Sequence, residues 1–480
     1  MKADAMKWHL ANLGLSIAAA ATRIVAGDEP HVAVYPPLPN NTYQSRHYEV
    51  IVEQGGRQFL SYVYQSDNHG DLDAYHLEKM TAANHFTSFS FQGRVMVHIH
   101  LLGGATAATA VVRPLSSGLR ATANGNQITL ALEKPGQFYV EVPGKAKHPL
   151  FIFADPPERE VPSAQAHGVL YFGPGLHDLG KAGAELTSDT TVYLAGGAYV
   201  KGLFKARPGV KVAFRGRGIL SGIAFPHYTN DWSHHLIDVP PSARGELTVE
   251  GITLTDSPKA CLESAVKTRV ENVKFFSWHQ NTDGVFVGNG STVKRCFFKV
   301  NDDVIKLYSS RMTVTDSVVW MQPTGAAVQL SWNLRQPVTD ACVSGMDIIR
   351  FDRHEMPGRY KFINNAVVAS RNFCGGRTGP GVVIENLRFE EPPLQLFGMK
   401  IKQGGKYNEG RGGIHGVTFR NWTMPSAPRM KSLIDGNGTE TGAIENLVFE
   451  NIMIGPTKLT AANADEFITR TNKTANFTYR

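Results

Sequence analysis

Cysteine is scarce in this chain. Cys261, Cys296, Cys342 and Cys374 are the only four in 480 residues, and none has the CxxC or Cys/His spacing that a structural metal or redox site requires. They allow one disulfide or a set of buried thiols, and decide between neither. Charge of one sign is not concentrated. Lys and Arg number 49 against 42 Asp and Glu, a net +7. No Lys/Arg block of the kind that forms a nucleic-acid arm occurs, so nucleic acid is not expected as a partner. The basic excess fits an ordinary soluble protein or one that meets an anionic polysaccharide. After the first 21 residues no apolar run is long enough to cross a bilayer, and no membrane partner is expected. A phosphate-binding glycine loop and a Ser/His/Asp nucleophile set are missing too.

Turn formers are plentiful instead. The 47 Gly and 26 Pro lie among many Val, Thr, Phe and Asn, which favours short strands and tight turns. At the N-terminus Lys2 and Lys7 flank the approach to an apolar stretch over 13–21, so residues 1–27 read as a secretory signal. Six Asn-x-Ser/Thr sequons, at Asn40, Asn289, Asn421, Asn437, Asn472 and Asn476, also fit a secreted, extracellular protein. Residues 28–155 hold short alternating runs such as Tyr48-Glu49-Val50-Ile51-Val52, and a hairpin around Lys134-Pro135-Gly136. They predict a β-sandwich whose task is packing or carbohydrate contact. Residues 156–168 begin Pro156-Pro157-Glu158 and read as a linker.

The pattern changes from 169 to 480. Val270-Glu271-Asn272-Val273, Ile384-Glu385-Asn386-Leu387 and Ile444-Glu445-Asn446-Leu447 share one motif. Strand starts near Ile252, Val273, Cys296 and Val318 are 21, 23 and 22 residues apart. A coil of that length cannot bury its apolar face alone, so successive coils must stack. The repeated Asn suits a left-handed corner and a side-chain ladder. The expectation is an all-β chain, an N-terminal β-sandwich followed by a right-handed parallel β-helix.

Acids gather in one stretch, 281–332. Asp283 and Asp303 are twenty positions apart, each just before a β-type run, and Asp302 adjoins the second. On a solenoid they fall at equivalent corners one strand spacing apart, roughly 4.8 Å. Like charges that close raise one pKa and leave the other group ionised, which supplies an acid and a base for glycosidic hydrolysis. Lys306 is expected on the face of Val304, where it orients a carboxylate or a sugar. Trp332 and Tyr308 offer flat faces for sugar rings. Arg335 is placed near the groove, and His279 and the pair His234-His235 are further candidates for sugar contact. Aspartates also form turns, so a structural role for each acid stands beside the chemical one.

Several segments together resemble glycoside hydrolase family 49, the dextranases and isopullulanases, which is similar in fold and clan to the family 28 polygalacturonases. They are Leu194 through Gly202, Gly216-Arg217-Gly218-Ile219-Leu220-Ser221-Gly222, Thr282-Asp283-Gly284, Val300-Asn301-Asp302-Asp303-Val304-Ile305-Lys306-Leu307-Tyr308 and Leu330-Ser331-Trp332. The resemblance implies an inverting hydrolase, with Asp302 as general acid and Asp283 with Asp303 activating water. Separation alone reads differently, since carboxylates about 5 Å apart suit retention. Where family 28 carries a Gly-His-Gly turn, this chain has Gly325-Ala326-Ala327-Val328-Gln329. Yet Met399-Lys400-Ile401-Lys402 resembles the segment by which family 28 grips uronates, which makes Lys400 and Lys402 candidate substrate ligands.

The leading expectation is a monomeric, secreted, endo-acting hydrolase of a dextran-like α-glucan that needs no cofactor and no metal. Hydrolysis of an acidic or sulfated glycan is the second reading. A non-catalytic carbohydrate-binding β-helix is the third.

Overall fold

A computed structural model describes residues 31–66, 82–226, 234–332, 334–352, 366–372, 376–401, 412–436 and 442–480. The signal-like segment, Cys374 and Lys402 lie outside the described residues. The chain is nearly all β. Eleven strands come first: β1 (Val32–Val34), β2 (Tyr48–Gln54), β3 (Arg57–Ser61), β4 (Val63–Gln65), β5 (His85–Phe91), β6 (Val95–Leu101), β7 (Val111–Arg113), β8 (Ala121–Asn124), β9 (Gln127–Leu132), β10 (Gly136–Glu141) and β11 (Leu150–Asp155). They form two sheets, in the orders β1-β5-β11-β10-β7 with β4 beside β5, and β3-β2-β6-β9-β8. Alternation explains the packing. Val50, Val52, Val97, Ile99, Ile128 and Leu130 point inward from the second sheet to meet Phe89, Phe91, Val140 and Ile152 from the first.

β11 breaks the alternation, because all six of its residues are buried. Leu150, Ile152 and Ala154 enter the sandwich core, whereas Phe151 and Phe153 face outward onto Phe276, Phe297 and Trp320 of the second unit. A strand with two apolar faces needs two cores. The sandwich therefore packs directly on that second unit, and two polar welds reinforce the contact. Asp155 (1% exposed) accepts hydrogen bonds from Lys274 Nζ at 2.6 and 2.8 Å and from Asn272 Nδ2 at 2.8 Å. Farther along, Arg113 meets Glu390 at 2.6 Å, and Ser116 Oγ donates to Asp347 Oδ2 at 2.9 Å.

The second unit is a parallel β-helix. Its strands pair with those one coil ahead, as in Val285–Phe286 with Ile305–Lys306 and then Val328–Ser331. The repeated asparagines hold its corners. Asn272, Asn386 and Asn446 lie in the left-handed region at φ 55, 57 and 55°, and side-chain amides run between coils from Asn451 to Asn421 and from Asn421 to Asn386, at 3.0 and 3.1 Å. Apolar residues fill the interior in stacks, for example Phe275 on Phe298 with centroids 4.7 Å apart. Cys261 and Cys296 are free buried thiols, and burial pushes both up to about 12. Cys342 is free as well.

Lys299 is the misfit in this interface. It is 1% exposed, lies 5.1 Å from the Trp320 ring, and reaches a neutral oxygen, Gln322 Oε1, at 3.4 Å. Burial pushes its ammonium down to about 8, although Asp352 pulls the other way. The folded state therefore binds this proton less tightly than the unfolded chain. Stability rises with pH between about 8 and the ordinary lysine value, and the full burial cost stands at pH 7. Lys299→Met should raise stability by about 1–3 kcal/mol at pH 7, with the gain shrinking above pH 8. Thermal melts of both proteins across that range check it.

Candidate active site

One row of side chains runs along the outer face of the β-helix. The parallel register aligns Lys205, Asp238, Glu263, Phe286, Lys306, Gln329 and Ala369 in that order. The acids stand at the corner where these strands begin. Gly284 N donates to Asp303 O at 2.9 Å, which aligns Asp283 and Asp303 on consecutive coils. Asp302 lies beside them, and carboxylate oxygens of the three come within 4.8 Å of one another.

Their environments differ. Asp283 is 4% exposed; its Oδ2 takes an ion pair with Lys306 Nζ at 2.6 Å, and its Oδ1 is buried with no hydrogen-bond partner among the described residues. Asp303, also 4% exposed, accepts at Oδ1 from Ala326 N at 3.1 Å and Gln329 Nε2 at 3.3 Å. Asp302 Oδ1 accepts a local bond, from Asp303 N at 2.9 Å. Burial first, then the charges of Asp283 and Asp303, push the Asp302 carboxyl well above the usual carboxylate range, while Lys306 pulls it back in part. Burial by itself would lower the Lys306 ammonium, but the three carboxylates, Asp283 foremost, outweigh it and raise it. The result is one carboxyl pushed toward its protonated form beside two others held by a fixed cation and fixed N–H donors.

Gly325 makes the corner fit. At φ 86° it lies so close to the next coil that a Cβ there would sit 1.9 Å from the Asp302 carbonyl carbon. The glycine of the Gly325-Ala326-Ala327 turn is thus demanded by the approach to Asp302, and Ala326 presents its N–H to Asp303.

No family model matches the chain. Over 274 residues it is 28% identical to a dextranase of Arthrobacter sp. strain CB-8, covering 51% of this chain and 42% of that protein. Over 450 residues it is 24% identical to the isopullulanase of Aspergillus niger, covering 79% of each. Its fold matches Dex49A from Penicillium minioluteum with a TM-score of 0.75 and 18% identity, over 93% of this chain and 96% of that one. The chain is thus similar to a dextranase and to an isopullulanase, and shares the fold of Dex49A. It spans about two fifths of the length of the Arthrobacter dextranase, 42%.

Around the acids, the fold places the candidate ligands unevenly. Lys306 is at the centre, but not on the face of Val304. Val304 lies in the core at the corner, and Lys306 points outward from a strand only two residues long. Tyr308 packs edge-on against Phe286 at 5.7 Å, with its hydroxyl buried and unpartnered among the described residues. Burial and the three nearby carboxylates keep that phenol protonated. Trp332 is half-buried, with the Arg371 guanidinium 5.5 Å from its ring centre. Arg335 is exposed. Lys400 stands on the strand three coils beyond Lys306, about 14 Å away along the stack, and pairs with Asp435 at 3.7 Å. His279 is 4% exposed and packs beside Trp278. His235 pairs with Glu263 at 3.0 Å on the far side of Phe286.

Phe286, Glu263 and Gln329 were not singled out by the motifs, yet they share the row. Gln329 could have been found by setting Ala327-Val328-Gln329-Leu330 under Val304-Ile305-Lys306-Leu307, which puts it directly beside Lys306.

Proposed function

We propose that the chain is a secreted glycoside hydrolase that cleaves a neutral α-glucan of dextran type within the polymer, inverting the anomeric carbon. The corner trio carries this proposal: one carboxyl pushed well above the usual carboxylate range next to one paired with a fixed cation and one held by N–H donors. Asp302 gives its proton to the glycosidic oxygen as the bond breaks. Asp283 and Asp303 hold a water and take its proton as it attacks, and the buried, unpartnered Oδ1 of Asp283 is the natural acceptor. Lys306 pairs with Asp283 and offsets the negative charge of the corner. Inversion is what the resemblance to glycoside hydrolase family 49 implies. The 4.8 Å clustering taken alone would suit retention, so the anomer first released, read by NMR, decides between them.

A neutral sugar suits the row. Phe286 offers an apolar ring, and the charges that flank it along the row have partners of their own, Glu263 with His235, Asp238 with Lys205 and Lys400 with Asp435. The relatives' names, dextranase and isopullulanase, point to glucans as well. The test is reducing-sugar release from dextran, pullulan, polygalacturonate and a sulfated galactan, with product sizes to separate internal from terminal cleavage. Release from dextran is expected. Release from polygalacturonate alone would transfer the site to an acidic glycan, and binding without release from any polymer would leave a carbohydrate-binding β-helix.

Lys306→Met should lower kcat by about 10²-fold on such a substrate and move the basic limb of the pH–rate profile to higher pH, because the Asp302 carboxyl loses the cation that pulls it down. An unshifted profile would show that Lys306 does not set the charge state of the trio.

A further inference from the structure

A second cluster of chemistry-bearing side chains lies far along the chain from the acids, in the sandwich. His47 directly precedes β2, His85 opens β5, and His148 lies two residues before β11. β2 belongs to one sheet, β5 and β11 to the other. Imidazole nitrogens of the three residues come within 4.8 Å of one another. His85 is fully buried. Its Nδ1 is 2.9 Å from Ser45 Oγ, which fixes the ring, and its Nε2 is 3.2 Å from His148 Nδ1. Two nitrogens on a tetrahedral zinc, each at 2.0–2.1 Å, are about 3.3 Å apart, and a ligating histidine usually has its other nitrogen held by a hydrogen bond. The His85–His148 pair has the spacing, and His85 has the hydrogen bond on its other nitrogen. A cation already sits at the third ring, since Lys145 Nζ lies 3.4 Å from His47 Nδ1. The His47 and His148 rings stack at 3.8 Å and 17°, so His47 joins an ion by turning out of that stack.

We propose that His47, His85 and His148 form a zinc-class metal site that staples the two sheets of the sandwich. His85 Nε2 and His148 Nδ1 supply two ligands, His47 the third, and water the fourth. Neutral imidazole donors without a carboxylate or thiolate favour Zn²⁺ and its neighbours over Mg²⁺ or Ca²⁺. Such an ion ties the segment before β2 to the starts of β5 and β11, and because it binds the folded state alone it stabilises the fold.

Chelator-treated full-length protein, titrated with Zn²⁺ by calorimetry and with Co²⁺ by visible absorption, tests the site. Wild type should bind one equivalent, give the intense visible bands of four-coordinate Co²⁺, and melt at higher temperature with Zn²⁺ than with chelator, while Mg²⁺ has no effect. His148→Gln, half-buried and outside the glycan site, should lose the binding and the melting shift and keep glycan hydrolysis. Lys145→Ala, which removes a competing positive charge from His47, should tighten binding about tenfold. Wild type that fails to bind Zn²⁺ overturns the proposal. So does binding that survives unchanged in both His148→Gln and His47→Gln, or a Lys145→Ala affinity equal to or weaker than that of wild type.

Discussion

Asp302→Asn should abolish nearly all glycan hydrolysis, with kcat down by about 10²–10⁴ and KM little changed, and the protein should become more stable. The amide keeps the shape of the carboxyl and can still accept the bond from Asp303 N, but it has no proton to give to the leaving oxygen. The gain in stability comes from the sign of the shift. The Asp302 carboxyl is held well above its unfolded value, by burial and by Asp283 and Asp303. The folded state therefore grips the proton more tightly, and stability falls as pH rises from about 4 through the folded value. Asn escapes that loss. The variant and the wild type should melt together below about pH 4, with the variant pulling ahead above it. Reducing-sugar assays and melts on the same preparations check both halves. Activity retained within tenfold would remove Asp302 from the acid role, and a melting temperature lowered at pH 7 would refute the account of its environment.

The coils were legible because their signals are local and repeated. Val270-Glu271-Asn272-Val273 and its copies mark corners, and the left-handed φ at each Asn is what that residue tolerates where others strain. Asp283 and Asp303 could be set on one corner from spacing, because a β-helix converts a sequence interval of one coil into a neighbour relation. Where the period of a strand was carried past its end, it failed. Ile305–Lys306 is too short to hold an alternation, and Val304 turns into the core at the corner while Lys306 faces out. The charge states were legible only in outline. Two clustered acids imply one shifted pKa, but that it is Asp302 follows from its burial and from the charges of Asp283 and Asp303 around it, which only the folded corner sets.

Contacts between the two units were not legible. Leu150-Phe151-Ile152-Phe153 announces a strand buried on both faces, without naming the second partner. Its match is Phe276, Phe297 and Trp320, all well over a hundred residues later. The three histidines of the sandwich form no short motif for the same reason, since 85 and 148 meet through the pairing of β5 with β11 and 47 reaches them from the other sheet.

Asp155→Ala should cost about 3–5 kcal/mol of stability, the largest loss expected from a residue outside the core. Asp155 lies 119 positions from Lys274 in sequence, and both are essentially without solvent. Removing the carboxylate leaves the Lys274 ammonium with one neutral acceptor, Gly251 O at 3.1 Å, and takes from Arg217 the charge 3.6 Å from its Nε. Lys274→Met should cost less, because Asp155 keeps the Asn272 amide and the nearby Arg217. That order distinguishes an uncompensated buried charge from a simple loss of contact, for which the two changes would cost the same. Urea denaturation of the two variants measures it, and a loss below about 1 kcal/mol for Asp155→Ala would refute the weld. The consequence reaches the acids. Lys274 opens the strand Lys274–Gln280, and Asp283 comes three residues after that strand ends. The pair that fastens the sandwich to the β-helix therefore also anchors the strand leading to the groove corner. Asp155→Ala should accordingly lose hydrolysis in step with its unfolding, with kcat and KM near wild type at temperatures where the fold is intact.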